Sequence, residues 1–193
     1  MLLKTVRDYS KRGDALSIPN LVEVQQAAYE RFLQHVKEPA LIAFATTSSE
    51  AALPKALENM ERLGVPRRIV AFVLPTGYSF NLDGSTLYLS LAALFVVQAA
   101  GIELSLGSEL LLMLTLMVTS KGVAGVPRAG LVILSGTLLQ FGLPLEGVAV
   151  ILAVDSLMDM ARTSMNLVGN CLATAVMARW EGEFAGVLAR ARE

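Results

Sequence analysis

The chain has 193 residues, of which 54% are hydrophobic and 17% are charged, and its mean hydropathy is +0.55. Soluble domains of this size carry about a quarter charged residues, so the composition excludes an ordinary soluble globular domain. The formal net charge of -1 gives no sign of attraction to nucleic acid, and the single cysteine, Cys171, excludes a disulfide framework. We therefore expect no nucleic-acid partner for residues 38–193.

Residues 1–37 differ from the rest because they are charged and contain no long apolar run. Within them, LVEVQQAAYERFLQ (21–34) has apolar residues at helical spacing and predicts a short soluble amphipathic helix. The string SIPNLVEVQQAAYERFLQ resembles the extreme N-terminus of the bacterial RNA polymerase β subunit. That resemblance implies a fusion of two unrelated reading frames, and the other interpretation is a cytoplasmic tail. The segment is too short to form a core alone.

Two later stretches are nearly free of charge. From residue 69 to 102 the only charged side chain is Asp83, and from 147 to 178 the only ones are Asp155, Asp159 and Arg162. A helix needs about 20 apolar residues to cross a bilayer core of about 30 Å, so each stretch predicts a transmembrane helix. The first is interrupted by PTGYSFNLDGS (75–85), whose proline and glycines predict a broken helix.

The apolar runs at 110–118 and 129–141 are too short to cross alone, since the longer one covers only roughly 20 Å as a helix. TSKGVAGVPRAG (119–130) lies between them, and its glycines and proline disfavour one continuous helix. This pattern predicts a re-entrant hairpin with a glycine-rich tip. SSEAALP (48–54), after the apolar run at 40–47, predicts another hairpin. Irregular backbone at membrane depth must face protein or a water-filled cavity, so the tips are expected to line a site.

The distribution of basic residues predicts the topology. Residues 55–68 carry four basic side chains, the loop at 101–109 carries none, and Arg179, Arg190 and Arg192 follow the last span. The positive-inside rule then places 55–68 and the C-terminus in the cytoplasm. The two hairpins enter from opposite sides, which is the pattern of an inverted repeat. We expect a multi-pass protein of the bacterial inner membrane with both termini cytoplasmic.

The last span carries one polar stripe. On a helix its five polar residues fall within an arc of about 80°: Asp155, Asp159, Arg162, Asn166 and Asn170. A charge at bilayer depth costs at least about 2.5 to 3.5 kcal/mol, so the stripe must face partners or an aqueous site. An ion pair between Asp159 and Arg162, serving structure alone, is the alternative.

The interruption of the first span carries a second polar group. Ser79, Asn81 and Asp83 offer hard oxygen ligands, together with the carbonyls that an unwound helix would free. Such ligands suit an alkali cation or a proton. A purely structural kink is the alternative, although a kink does not require Asp83.

Four ordered motifs connect these features: TTSSEAALP, PTGYSFNLDGSTLY, TSKGVAGVPRAG and DSLMDMARTSMNLVGN. Over residues 38–185 the chain resembles the dicarboxylate/amino-acid:cation symporters. The resemblance implies an all-α membrane protein with two re-entrant hairpins and two transmembrane helices, one of them broken, arranged as an inverted repeat. It also implies an elevator-type transport domain on a homotrimeric scaffold. The protein would be a transporter and not an enzyme, with no cofactor beyond sodium or protons as coupling ions.

The resemblance assigns roles to individual residues. Asp159 would take the ammonium group of glutamate or aspartate, and Arg162 the side-chain carboxylate. The complete substrate set that it implies is Thr47, Ser48, Ser49, Ser85, Val126, Asp159, Arg162, Thr163 and Asn166. The cation set that it implies is Gly77, Ser79, Asn81, Asp83, Ser120, Lys121, Val123, Asn166 and Asn170.

Two departures from the family pattern matter. Asn170 stands where the archaeal pattern has an aspartate, which leaves sodium, protons or both open as coupling ions. The family also has a scaffold and further helices before the first hairpin. We therefore expect residues 38–185 to form the core of a transport domain, with a tail at 186–193, and to be inactive in transport alone. A polymerase-related fragment or a non-transporting membrane protein are the alternative functions.

Overall fold

The computed structural model describes residues 18–123 and 129–184, and all regular structure within these ranges is helical. The all-α fold is therefore confirmed for the described part of the chain. A short 3-10 turn, Ser120–Val123, follows the fifth helix. The helices are α1 (Ile18–Thr46), α2 (Ser49–Leu63), α3 (Arg67–Phe80), α4 (Asp83–Ala99), α5 (Leu106–Thr119), α6 (Ala129–Gln140) and α7 (Glu146–Trp180).

Helix α1 is longer than the sequence predicts. It continues through Pro39 without interruption, so the expected boundary at residue 37 lies inside a helix. The helical pattern at 21–34 and the apolar run at 40–47 are parts of this one element. Thr47 then adopts a left-handed φ of 51°, and the Ser48 side chain accepts the N–H of Ala51 at 3.2 Å to cap α2.

Helices α1 and α2 pack against each other in antiparallel fashion. Lys55 Nζ on α2 lies 3.3 Å from the Glu38 carboxylate, and the Asn59 amide donates to the carbonyl of His35 at 2.8 Å. Contacts between 38 and 55 and between 35 and 59 are those of two helices joined at a tip near residue 47. The first predicted helix pair is thus present.

The predicted break between α3 and α4 is confirmed, and it is narrow. Pro75 and Gly77 stay inside α3, while Asn81 (φ -108°, ψ 76°) and Leu82 (φ -105°, ψ 60°) leave the helical region. Among the described residues, one segment is long and apolar enough to cross a membrane, and it runs from Arg67 to Ala99 across this break. Helix α7, the other predicted span, has 35 residues but carries the polar stripe.

Two hydrophobic cores share α7. The first is built by α1, α2, α3 and the C-terminal half of α7, which contributes Leu167, Cys171 and Ala178. The second is built by α4, α5, α6 and the N-terminal part of α7, which contributes Ile151. The polar stripe of α7 lies between the two cores and therefore at the place where both groups of helices meet.

Many large apolar side chains remain on the outside of these cores. Phe72 and Val132 are each at least 70% exposed, and similar residues occur on most of the helices. Exposed apolar surface of this extent marks contact with lipid or with other protein. Helices α5 and α6 have 14 and 12 residues, about 21 and 18 Å, so neither could cross a bilayer alone.

Candidate functional site

A cavity of about 300 Å³ opens where the helix ends and the polar stripe meet. Its wall combines the tip between α1 and α2, the break between α3 and α4, the turn after α5, the start of α6 and the middle of α7. Eight of the nine residues predicted to bind substrate line it: Thr47, Ser48, Ser49, Ser85, Asp159, Arg162, Thr163 and Asn166. The ninth, Val126, lies outside the described residues.

Arg162 dominates the cavity electrostatically. Its Nε donates to Asp159 Oδ1 at 2.8 Å, and its Nη1 lies 3.6 Å from Asp155 Oδ1. The guanidinium also stacks on Tyr88, with 4.9 Å from Cζ to the ring centroid, a cation–π contact. The Tyr88 hydroxyl donates to Asp155 Oδ1 at 2.8 Å. We call these four residues the charged cluster.

Two atoms of the charged cluster have no hydrogen-bond partner among the described residues. These are Nη1 of Arg162 and Oδ2 of Asp155. Arg162 is 7% exposed and Asp155 is 2% exposed, so water does not freely replace the missing partners. Buried polar groups are normally satisfied, and exceptions occur at functional sites. The unused donor of Arg162 fits the carboxylate of a small anion.

Gly130, at the start of α6, lies against the guanidinium. A Cβ at this position would come within 2.6 Å of Nη1 and 3.1 Å of Cζ. The absence of a side chain at Gly130 therefore lets the start of α6 approach Arg162. This contact joins the α5–α6 pair to the polar stripe.

Asn166 links the stripe to the start of α4. Its Nδ2 donates to Ser85 Oγ at 2.9 Å, and its Oδ1 accepts the Ser85 N–H at 3.2 Å. These two hydrogen bonds hold the Ser85 hydroxyl at the cavity wall. Ser85 is thus positioned from its backbone and its side chain together.

A second cluster of polar side chains lies further toward the C-terminus of α7. With its amide nitrogen turned toward Asp83, Asn81 donates at 2.8 and 3.2 Å to the carboxylate oxygens, and its oxygen lies 3.0 Å from Oδ1 of Asn170. Amide orientations are assigned from such neighbours. Asn170 is 1% exposed, and its Nδ2 has no partner among the described residues. We call Asn81, Asp83 and Asn170 the amide cluster.

Glycine backbone packs against the amide cluster on both sides. Gly77 is buried in α3 beside the Asn170 amide, and Gly169 on α7 directly contacts the Asp83 carboxylate. Four predicted cation ligands thus meet here: Gly77, Asn81, Asp83 and Asn170. Oxygen atoms this close together are ligands of the type that hard cations prefer.

The other predicted cation ligands lie elsewhere. Ser79, Ser120 and Asn166 line the cavity, with the Ser120 hydroxyl bonded to the Met117 carbonyl at 2.9 Å. Lys121 is half-buried and is not part of the cavity wall. Val123 is the last residue of the 3-10 turn Ser120–Val123.

Sequence reasoning missed three residues of the site. Tyr88 stacks on Arg162, the Tyr78 hydroxyl donates to the Ser49 carbonyl at 2.6 Å, and Glu50 adds a carboxylate to the cavity wall. A signal existed for the tyrosines, because a tyrosine in an apolar helix needs a partner for its hydroxyl. The local sequence does not indicate which partner each tyrosine contacts.

This arrangement can bind a small zwitterion or dianion. A guanidinium with one nitrogen free of hydrogen bonds, two carboxylates and several hydroxyls converge on a single cavity. Arginine is suited to planar carboxylates, and Asp159 offers an anion to an ammonium group. The described residues contain no group of three or more His, Cys, Asp or Glu that could hold a metal ion, and the amide cluster is a set of amide and carboxylate oxygens instead.

Comparison with known proteins agrees with a cavity that binds a small zwitterion or dianion. Residues 18–180 match the model of the sodium:dicarboxylate symporter family. Over 149 residues the chain is 56% identical to a proton/glutamate-aspartate symporter of Escherichia coli (strain K12), which covers 77% of this chain and 34% of that protein. It is 54% identical over 154 residues to a proton/sodium-glutamate symport protein of Bacillus subtilis (strain 168), covering 80% and 36%.

A third relative is a C4-dicarboxylate transport protein of Mesorhizobium japonicum, 50% identical over 152 residues, which covers 78% of this chain and 34% of that protein. The chain thus spans about a third of the length of the relatives it matches. The comparisons lend no support to the polymerase alternative, and the family match includes residues 18–37. The chain belongs to the sodium:dicarboxylate symporter family.

Proposed function

We propose that this chain forms the substrate- and cation-binding core of a symporter of the bacterial inner membrane. The protein would take up glutamate or aspartate together with sodium, protons or both. Its relatives bear the names of proton- or sodium-coupled glutamate symporters and of C4-dicarboxylate transport proteins. The observation that carries the proposal is the convergence of eight predicted substrate residues on one cavity.

The substrate would lie between Arg162 and the two tips. Its side-chain carboxylate would use the free Nη1 donor of Arg162, and its ammonium group would approach Asp159, which already reaches the cavity. Ser48, Ser49 and Thr163 would complete the contacts with hydroxyl and backbone groups. A plain dicarboxylate has no ammonium group, so Asp159 favours an amino acid over succinate.

The coupling cation would use the amide cluster. The Asn81 and Asn170 amides and the Asp83 carboxylate offer oxygen ligands next to buried backbone of Gly77. Because Asn170 is neutral, this site carries one negative charge fewer than an aspartate there would supply. Sodium would bind less tightly as a result, and protons would share the coupling.

Transport would follow the elevator mechanism of the family. The pairs α1–α2 and α5–α6 would act as re-entrant hairpins from opposite sides, as an inverted repeat, and the exposed apolar surface would face lipid and a trimeric scaffold. Both termini would be cytoplasmic. Residues 38–185 would constitute the transport-domain core of the full-length protein.

Binding to the reconstituted chain tests this function. We would place the chain in lipid nanodiscs and titrate it calorimetrically with L-glutamate, L-aspartate and succinate, at several sodium concentrations. Binding of the amino acids that strengthens with sodium or acid is expected, with succinate weaker. Residues 38–180 grafted into the Escherichia coli relative would test uptake in cells. Indifference to all three anions in both experiments would refute the proposal.

A further inference from the structure

We propose that Asp155 binds a proton and thereby controls Arg162, so that a proton and the substrate carboxylate bind together. The inference rests on the proposed function and names the residue that would take the coupling proton. Asp155 does not line the cavity. It lies behind the guanidinium of Arg162, on the side of Tyr88.

The Asp155 carboxylate is buried and only partly hydrogen-bonded. It is 2% exposed, and only one of its oxygens has a hydrogen bond, the 2.8 Å bond from the Tyr88 hydroxyl. The other oxygen, Oδ2, has no hydrogen-bond partner within the described ranges. An ionised carboxylate buried with an unsatisfied oxygen is costly. A proton on Oδ2 removes the charge and leaves the bond to Oδ1 in place.

The net charge of the charged cluster also favours the binding of one proton. Three groups face Asp155: Tyr88 from α4, and Asp159 and Arg162 from α7. Within the part of the chain that the structure describes, Arg162 is the basic side chain in salt-bridge distance of either carboxylate. With both carboxylates ionised, the cluster holds one net negative charge in a buried setting, which one proton neutralises.

The distances from Arg162 indicate which carboxylate takes the proton. Asp159 lies 2.8 Å from Nε of Arg162, whereas Asp155 lies 3.6 Å from Nη1. Coulomb attraction falls with distance, so the guanidinium stabilises the charge on Asp159 more than that on Asp155. Asp159 also borders the cavity, where a substrate ammonium would keep it ionised. The proton therefore binds Asp155.

Coupling follows because Arg162 lines the cavity while its Nη1 lies 3.6 Å from Asp155 Oδ1. When Asp155 is ionised it attracts Nη1 away from a substrate carboxylate. When a proton from water bonds to Oδ2, that attraction is lost and Nη1 is free to donate to the substrate. A bound substrate carboxylate competes with Asp155 for Nη1 of Arg162. By thermodynamic reciprocity, it increases the affinity of Asp155 for the proton. Proton and substrate then bind and leave as a pair.

Infrared spectroscopy of the full chain in nanodiscs tests proton binding without any substrate. Acidification should produce the carbonyl band of a buried protonated carboxyl group. Asp155→Asn should abolish this band, and Glu50→Gln, which changes a carboxylate of the cavity wall outside the charged cluster, should retain it. Tyr88→Phe should keep the carboxyl group but shift the band, because its hydrogen bond is lost. A band that persists in Asp155→Asn would overturn the proposal.

A second measurement tests coupling. Glutamate should bind the unmodified chain up to about tenfold more tightly for each unit by which pH is lowered, over the range where one proton is taken up. Asp155→Asn should bind glutamate with an affinity independent of pH, similar to that of the unmodified chain in acid. Glutamate affinity that keeps its pH dependence in Asp155→Asn would overturn coupling through this residue. The expected band in a chain indifferent to glutamate would refute the proposed function alone.

Discussion

The charged cluster and the amide cluster lie on the same face of α7, yet they are built differently. In the charged cluster, Arg162 is shared by two carboxylates, and its Nη1 has no hydrogen-bond partner among the described residues. In the amide cluster, Asn81 bridges Asp83 and Asn170, and no basic side chain takes part. A site without a cation of its own is suited to binding one, whereas a site with a free guanidinium donor is suited to an anion.

The comparison therefore separates two roles along a single helix. If it is correct, substitutions in the charged cluster should change substrate affinity, and substitutions in the amide cluster should change the dependence on sodium. Exposed positions on the same helices provide matched controls, and the expected effects differ in size.

The largest effect is expected for Arg162→Ala. This change removes the only basic group in contact with the two carboxylates of the described cluster and leaves both without their ion pair. Truncating one partner of a buried charge pair costs about 2 to 5 kcal/mol of binding free energy, so glutamate affinity should fall by at least about 30-fold. Calorimetric titration measures this, with circular dichroism as the check on helix content. Affinity within a few-fold of the original would contradict an anion site at Arg162.

Gly130→Ala should have the next largest effect on substrate. The added methyl group would lie 2.6 Å from Nη1 of Arg162, so the guanidinium must move away from its present position. Overpacking of this kind lowers the stability of the fold by about 1 to 3 kcal/mol. Because the guanidinium is displaced from its place in the cavity wall, glutamate binding should weaken about tenfold or more. Gly136→Ala, six residues later on α6 with no atom within 4 Å of the new methyl, is the matched control. Equal binding by both variants would refute the contact.

Asp159→Ser should change selectivity more than overall affinity for anions. The substrate ammonium loses its anionic partner, while a dicarboxylate has no ammonium to lose. Glutamate and aspartate should therefore weaken by about tenfold relative to succinate. Competition of each unlabelled anion against radiolabelled glutamate or succinate provides the ratio. Parallel loss of all three anions would argue that Asp159 only holds Arg162 in place.

Asn170→Asp should have the smallest effect on glutamate binding. The effect should be limited to the dependence of that binding on sodium. It adds a carboxylate beside Asn81 and Asp83, and more ligand charge increases affinity for a hard cation. The sodium concentration that gives half-maximal glutamate binding should fall a few-fold, while binding in saturating sodium stays the same. Ser79→Ala tests whether the cavity wall contributes to the same ion. A sodium dependence unchanged by Asn170→Asp would separate the amide cluster from coupling.

Much of this site could be predicted because it depends on spacing within single segments. The stripe from Asp155 to Asn170 follows from helical periodicity, and the break at Asn81 follows from local backbone chemistry. The tip at Thr47 and Ser48 was predicted in the same way. The length of α1 could not be predicted in this way. Nothing in the local pattern showed that this helix would extend across residue 37 to Thr46.

The sequence by itself determined the helices, the polar face of α7 and the family, because backbone periodicity and ordered motifs are local properties of the chain. Only the tertiary structure decided that Tyr88 lies under Arg162, that Gly130 presses against it, and that Asp155 keeps an unpartnered oxygen. These contacts join residues far apart in the chain, whose distances depend on how two separate cores pack against one helix. The sharing of one guanidinium between two carboxylates is therefore a property of packing.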